Sequence, residues 1–229
     1  MENTIADFYN IYYDPIKNTE QYLLDYLNNR LKWLNTQSEN KFVEHIASRI
    51  KSPESTINKL IRMKIEPTME NAINYLSDII GVRLITHFIG DIYAIRNILV
   101  NCGDLDVVEE KDYVMNPKPG GYRGYHIIIN TEVDGFKIKA EIQLRTIAMD
   151  CWASLEHQIR YKKGIKNTDL INFELKKCSD DLMSADIAME QIWDIVRSST
   201  DDVSQSEDFF NEAMEYTELI KSKQDADSL

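Results

Sequence analysis

The middle of the chain is dense in short β-rich runs, and this limits its architecture more than any other feature. Tyr125 to Asn130 and Phe136 to Leu144 are two such runs joined by Asp134-Gly135, a dipeptide that favours a tight hairpin turn. Upstream, Ile79 to Thr86 reads as a buried strand, Leu105 to Val108 as a shorter one, and Phe42 to Lys51 as a further short strand. Helical patterns lie around and between these runs. Residues 17–37 carry Tyr22, Leu23, Tyr26, Leu27, Leu31 and Leu34 at amphipathic spacing, and Asp91 to Asn101 carries Ile92, Ile95, Ile98 and Leu99. Ser52-Pro53-Glu54 announces a helix from Pro53 to about Lys64: a serine cap, proline at the first helical position and an acid in the first turn. Arg145 to Lys162, Asp169 to Arg197 and, more weakly, Asp202 to Lys221 read as helices. Strands in the middle and helices at both ends predict an α+β fold, a mixed β-sheet flanked by helices.

At 229 residues the chain has room for one domain with appendages. The expected division is an N-terminal helical segment over 1–40, a central domain over 41–166 and an acidic helical region over 167–229. The net charge of −12 belongs to the last of these: residues 167–229 hold 16 acids and 5 bases, and the remainder is almost neutral. Within that neutral part, Arg49 to Lys64 has five bases against one acid, so an acidic protein retains a local place for phosphates. No apolar run reaches the roughly 18 residues of a membrane span, and the N-terminus lacks the basic and apolar regions of a secretion signal, so the expected setting is the cytoplasm, away from membranes. Cys102, Cys151 and Cys178 form no close pair, which speaks against a disulfide framework or thiolate metal site.

Three groups of residues carry chemistry. On a helix, Ser55, Lys59 and Arg62 share a face, while Arg49 and Lys51, two apart on a strand, point to one side; together they either surround a polyphosphate or form a solvated basic face. Asp78, just before a strand, and Glu141, inside one, are either two oxygen ligands for magnesium or the partners of Arg83 and Arg145. The stretch Lys111 to His126 combines glycines that admit a close ligand, basic side chains that donate to phosphate, and tyrosines with faces for a base. It is neither a Walker loop nor a dinucleotide fingerprint.

In this order the groups resemble one family, the small alarmone synthetases, the single-domain branch of the RelA/SpoT homologues. The resemblance spans about Val43 to Lys163 and rests on R-x-K-x-x-x-S-x-x-x-K from Arg49, D-I-I-G-V-R from Asp78, K-D-Y-x-x-N-P-K-P-x-G-Y-R-x-x-H from Lys111, and E-I-Q-L-R-T-I-A-M-D-x-W-A-S-L-E-H from Glu141. It implies a nucleotidyltransferase-like synthetase domain that moves pyrophosphate from ATP to the ribose 3′-hydroxyl of GDP or GTP, releasing AMP, with Mg2+ as cofactor. By position, Arg49, Lys51, Ser55, Lys59 and Arg83 are expected on the ATP side. Lys111, Lys118, Tyr122, Arg123 and His126 are expected on the acceptor side, with Tyr122 stacked on guanine. Asp78 and Glu141 are expected to bind the metal, and Glu141 to orient or deprotonate the attacking hydroxyl.

The resemblance also implies a homo-oligomer, a tetramer. Gly120, Gly124 and Tyr125 stand where the family has asparagine and Ser-Leu, and His45 stands where one regulated branch has phenylalanine. Toxic members of the family modify the 3′ end of tRNA, so an RNA footprint from Lys137, Lys139, Arg160, Lys162, Lys163 and Lys166 is a second expectation for the acceptor. A nucleotide-sensing or RNA-binding module without catalysis is a third. Residues 169–198 are apolar enough to pack on the core or on a neighbouring subunit, and the acidic region after Ser198 is open to folding over the basic site or meeting an antitoxin. No histidine is followed by aspartate, so the family's hydrolase activity is not expected.

Overall fold

The computed structural model of the chain describes residues 8–37, 41–133, 135–160 and 167–199. After a 3-10 turn at Asn10–Tyr12 come α1 (Tyr13–Gln37), β1 (Val43–Ile50), α2 (Pro53–Arg62), α3 (Met69–Tyr75), β2 (Ile80–Thr86), α4 (Ile89–Asn101), β3 (Asp106–Asp112), β4 (Tyr125–Val133), β5 (Phe136–Thr146), α5 (Ile147–Arg160) and α6 (Thr168–Ser198). The five strands form one sheet in the order β1-β2-β5-β4-β3. Only β2 and β5 run parallel; the other neighbours are antiparallel, so the sheet is mixed, as the clustered runs imply.

The sheet's two faces follow from the two-residue period of its strands. Ile80, Val82 and Leu84 of β2, Ile138, Ala140, Ile142 and Leu144 of β5, and Ile127 and Ile129 of β4 are buried on one face. There α1 lies against the sheet through Ile16, Leu23, Leu27 and Leu34, and α4 through Ile92 and Ile95, all in one core. Tyr9 joins that core and its hydroxyl donates to the Lys51 carbonyl at 2.8 Å, fixing the turn from β1 into α2. The other face of β5 carries Glu141, Gln143 and Arg145, which are buried too. A strand with a hydrocarbon face and a polar face, both shielded, needs hydrogen-bond partners for every group on the second.

The predicted cap of α2 is present: Ser52 accepts from the Ser55 amide with proline at the first helical position. Several boundaries, and one helix, differ from expectation. α1 begins at Tyr13 rather than residue 17. β3 extends to Asp112, because Glu110 and Lys111 pair with Ile127 and His126. β5 runs through Arg145 to Thr146, held by β2, so the following helix starts at Ile147. α3 has no counterpart in the reading of the sequence; Thr68 caps it by accepting from the Asn71 amide. The β4–β5 hairpin closes at Val133 and Phe136, with Gly135 at φ +79°; Asp134 lies outside the described residues. So does the helix expected over Asp202 to Lys221. Among the described residues, no helix is long and apolar enough to cross a membrane.

α6 packs on the core, as one of its two expected uses requires. Trp152 of α5 donates to the Leu175 carbonyl at 2.8 Å, Thr146 to Asp186 at 2.5 Å, and the Gly90 amide to Glu190 at 2.6 Å, while Trp193 stacks on Phe88. Its outer side leaves Leu170, Phe173, Met189, Ile192 and Ile195 exposed.

Candidate active site

Strand register gathers the polar groups. Arg49, Gly81, Glu141 and Ile128 lie in one row across β1, β2, β5 and β4, and Arg83, Gln143, His126 and Lys111 form another across β2, β5, β4 and β3. Paired positions in neighbouring strands project to the same side. Both rows therefore lie on the face opposite the hydrocarbon core.

At one end of this face, Asp78 sits between two ammonium groups: Lys51 Nζ is 2.9 Å from Oδ2 and Lys59 Nζ 2.9 Å from Oδ1. The contact to Oδ1 lacks hydrogen-bond alignment, leaving that buried oxygen without a hydrogen bond. Burial pushes the Asp78 carboxyl up, but the two lysines outweigh it and hold the group below the usual carboxylate range. The pairing of Asp78 with Arg83 weighed from sequence does not form, since Arg83 donates to Asp150 Oδ1 at 2.9 Å. Arg49 is exposed, with its side chain against Gly81. Ser55 is exposed at the start of α2, where its hydroxyl accepts from Ser52 at 2.9 Å. Arg62 donates to the carbonyl of Asn58, within its own helix.

At the other end Glu141 is 9% exposed. His126 Nδ1 lies 3.1 Å from Oε1, and Gln143 Nε2 donates to Oε2 at 2.5 Å. Burial pushes this carboxyl up as well, and the His126 and Gln143 contacts bring it net below its ordinary value. The pairing of Glu141 with Arg145 is likewise absent. Arg145 instead donates to the Tyr122 hydroxyl at 3.0 Å, Gln143 Oε1 at 2.9 Å and Asp150 Oδ1 at 3.0 Å. The Tyr122 hydroxyl is 2.5 Å from His126 Nε2. Lys118 Nζ stands 4.8 Å from the Tyr122 ring centroid and 4.5 Å from that of Tyr113, and the Arg145 guanidinium is 5.0 Å from Tyr122. These are cation–π distances.

The loop 113–124 places Tyr122 through a local turn, with the Gly121 amide donating to the Lys118 carbonyl at 2.8 Å and the Lys118 amide to the Tyr122 carbonyl at 3.1 Å. Gly121 has φ +95°, and a Cβ there would lie 3.0 Å from Lys176 Cα and 3.0 Å from Ser179 Cβ, so the loop touches α6 closely where no side chain fits. Asp112 anchors the other end, accepting from the Val114 and Met115 amides.

The structure thus brings together Arg49, Lys51, Lys59, Asp78, Arg83, Lys118, Tyr122, His126 and Glu141. The halves meet near Lys118: burial lowers its pKa, Glu141 raises it, and Lys111, Lys59 and Arg145 lower it further. The negative charge of Asp78 is felt at Glu141. A partly buried carboxylate with one oxygen lacking a hydrogen bond, Asp78, electrostatically coupled to the buried carboxylate of Glu141, forms a donor set suited to a hard divalent cation. Lys111 pairs with Glu109 at 3.0 Å. Arg123 turns toward α6, donating to the Val114 carbonyl at 2.7 Å and Asp180 at 3.0 Å, and so braces the loop instead of joining the cluster. Of the RNA footprint, Lys137 is exposed 3.8 Å from Glu132 and Lys139 is half-buried; Lys162, Lys163, Lys166 and the Arg160 side chain lie outside the described residues. Gln143, Arg145 and Asp150 are site residues not singled out from sequence for these roles. Continuing the Glu141 alternation two residues past Leu144's neighbour Gln143 finds Arg145; no comparable signal points to Asp150.

Known proteins share this chain's sequence and fold. Residues 48–166 match the family model described as the region found in RelA/SpoT proteins. The chain is 46% identical over 142 residues to the GTP pyrophosphokinase YwaC of Bacillus subtilis, covering 60% of this chain and 68% of that protein. It is 30% identical over 190 residues to the GTP pyrophosphokinase YjbM of the same organism, covering 77% and 89%. The fold superposes on the small alarmone synthetase 1 of Bacillus subtilis bound to its product pppGpp with a TM-score of 0.71 at 26% identity, covering 80% of this chain and 95% of that one.

Proposed function

Because the chain belongs to the family that carries the RelA/SpoT region, we propose that it transfers pyrophosphate from ATP to the ribose 3′-hydroxyl of GDP or GTP, making guanosine tetra- or pentaphosphate and AMP. The observation that carries this reading is that Asp78, paired with Lys51 and Lys59 just before β2, is electrostatically coupled to Glu141 on the polar face of the sheet that also carries Arg49 and Arg83, with Lys118 coupled to Glu141 and Lys59.

In the reaction the 3′-oxygen forms a bond to the β-phosphorus of ATP, the bond from that phosphorus to the α–β bridging oxygen breaks, and AMP leaves with the electron pair. Lys51 and Lys59 exchange Asp78 for phosphate oxygens, and Arg49 and Arg83 add charge on the same side. Glu141 accepts the proton of the 3′-hydroxyl. Asp78 and Glu141 would hold Mg2+, which supplies charge neutralisation on the transferred group when bound. Most of the rate enhancement for such a transfer comes from alignment and electrostatics, which a fixed array of cations supplies. Tyr122 offers its ring to the acceptor purine once Lys118 moves from it to a phosphate.

ATP labelled at its β-phosphate, with magnesium and GDP, GTP or tRNA as alternative acceptors, tests this directly. Label is expected in guanosine tetra- or pentaphosphate; label on the terminal adenosine of tRNA in its place would shift the acceptor while keeping the chemistry, and transfer to none would end the proposal. We also propose that the exposed apolar side of α6 joins copies of the chain into a homotetramer, and a monomer in light scattering at micromolar concentration would refute that.

A further inference from the structure

The hydrogen bonds around Glu141 form a closed circuit through Arg145, Tyr122, His126 and Gln143. Arginine only donates, so the circuit has a direction. Arg145 donates to Gln143 Oε1, and the amide of Gln143 donates to Glu141 Oε2. Arg145 also donates to the Tyr122 oxygen. With a neutral imidazole, the tyrosine O–H then donates to His126 Nε2 and the N–H at Nδ1 donates to Glu141 Oε1, so every contact has one donor and one acceptor. Both arms leave one guanidinium and end on the two oxygens of one carboxylate. Asp150 Oδ1 receives Arg145 from outside the circuit and, at 2.9 Å, also Arg83.

We infer that Arg145, anchored by Asp150, is a positioning residue for the reaction, orienting Glu141 through Gln143 on one arm and the Tyr122 hydroxyl with His126 on the other. The inference rests on the reading of Glu141 as the base. A carboxylate held at one oxygen can swing about that contact. Held at both, its plane is fixed, leaving each oxygen a further lone pair that would be free for the 3′-hydroxyl or for a bound metal. Tyr122 therefore has two separable roles, a ring for the purine and a hydroxyl for the base. Tyr122→Phe keeps the first and removes the second.

The test is steady-state kinetics on Tyr122→Phe, Gln143→Met, Arg145→Met, the Tyr122→Phe/Arg145→Met pair and Glu141→Gln. Tyr122→Phe and Gln143→Met are each expected to lower kcat by about tenfold, with KM for ATP and for the acceptor within about twofold. Once Arg145 is gone the tyrosine arm has lost its source, so Tyr122→Phe in that background is expected to cost less than about twofold more. Should Arg145→Met fail to fold by thermal melt, the cycle is run with Asp150→Asn, which loosens the same guanidinium. Wild-type kcat in both single-arm variants, losses confined to KM, or multiplicative losses in the cycle would overturn the inference. Glu141→Gln separates the two levels: inactive alongside fully active arm variants, it removes this inference alone; with wild-type kcat, it removes the base assignment and this inference with it.

Discussion

The two halves of the site are built differently. The proposed ATP side comes from a short stretch of chain, Arg49 to Arg83, in which the end of β1, one turn and one helix bring Lys51 and Lys59 to Asp78. Its charges are paired ion to ion and partly open to solvent. The proposed acceptor side draws on β4, β5, the loop 113–124, α5 and α6, and its centre, His126, Glu141, Gln143 and Arg145, is buried and joined by hydrogen bonds. A polyphosphate is flexible and highly charged, so mobile cations with a replaceable partner suffice to hold it. Aligning one hydroxyl on one phosphorus demands a fixed carboxylate. The first task tolerates lysine; the second requires groups whose directions are set by their neighbours.

Glu141→Gln is the largest test of this contrast. It should lower kcat by about 10²–10⁴-fold, the span of general acid–base contributions, while KM for ATP changes far less. Equal loss in both would show that the two halves do not divide the work this way. Next is Gly121→Ala, which places a Cβ at φ +95° against Lys176, Ser179 and Trp152. Backbone strain and overpacking together predict a loss of roughly 2–3 kcal/mol in thermal unfolding. KM for the acceptor should rise with KM for ATP unchanged, and a rise in both would mean that α6 supports the whole face. Lys59→Met is expected to raise KM for ATP by about tenfold and leave the acceptor's within about twofold, because one charge-assisted contact to phosphate is lost while Lys51 still supplies another.

The same division decides what could be read from the sequence. The clustering of Lys51, Lys59 and Asp78 was legible because these residues are close in the chain and sit on or beside elements with plain signals: the Ser52-Pro53-Glu54 cap fixed the phase of α2 and hence of Lys59. The hairpin and its hydrocarbon alternation were legible for the same reason. On the acceptor side, ending β5 at Leu144 placed Arg145 at the head of a helix, whereas the parallel pairing with β2 carries the strand on to Thr146. That boundary hides the alternation of Glu141, Gln143 and Arg145. Asp150 depends on how α5 leaves the strand, which no local pattern specifies. Arg123 read as a phosphate donor among other bases, but Asp180, 57 residues away in the chain, draws it to α6. Long-range partners, not propensities, made those assignments.

The smallest effect on catalysis is expected at Asp91, which belongs to neither half but lies where α4 meets the α6 helix that braces the acceptor loop. Its carboxylate accepts from the Phe88 amide at 3.0 Å and is 6% exposed. Burial pushes its pKa up to about 7; the Phe88 amide and His87 pull it down, Glu190 pushes it up, and Arg197 pulls it down. Glu190 is itself raised by burial against the same junction. A carboxyl with a raised pKa in the folded state binds its proton more tightly there than in the unfolded chain, where the ordinary value is 3.8. Stability should therefore fall as pH rises from about 4 through about 7 and level off above about 8, with roughly 2 kcal/mol of that fall between pH 5 and pH 7. Asparagine presents the same acceptor to the Phe88 amide without a charge, so Asp91→Asn should flatten this slope and raise the melting temperature at pH 8 with kcat unchanged. Denaturant titrations of both proteins at pH 5, 6, 7 and 8 measure the slope directly. Parallel curves for the two would assign the pH dependence to Glu190 or Asp186, and a changed kcat would tie the α4–α6 junction to the chemistry on the acceptor side.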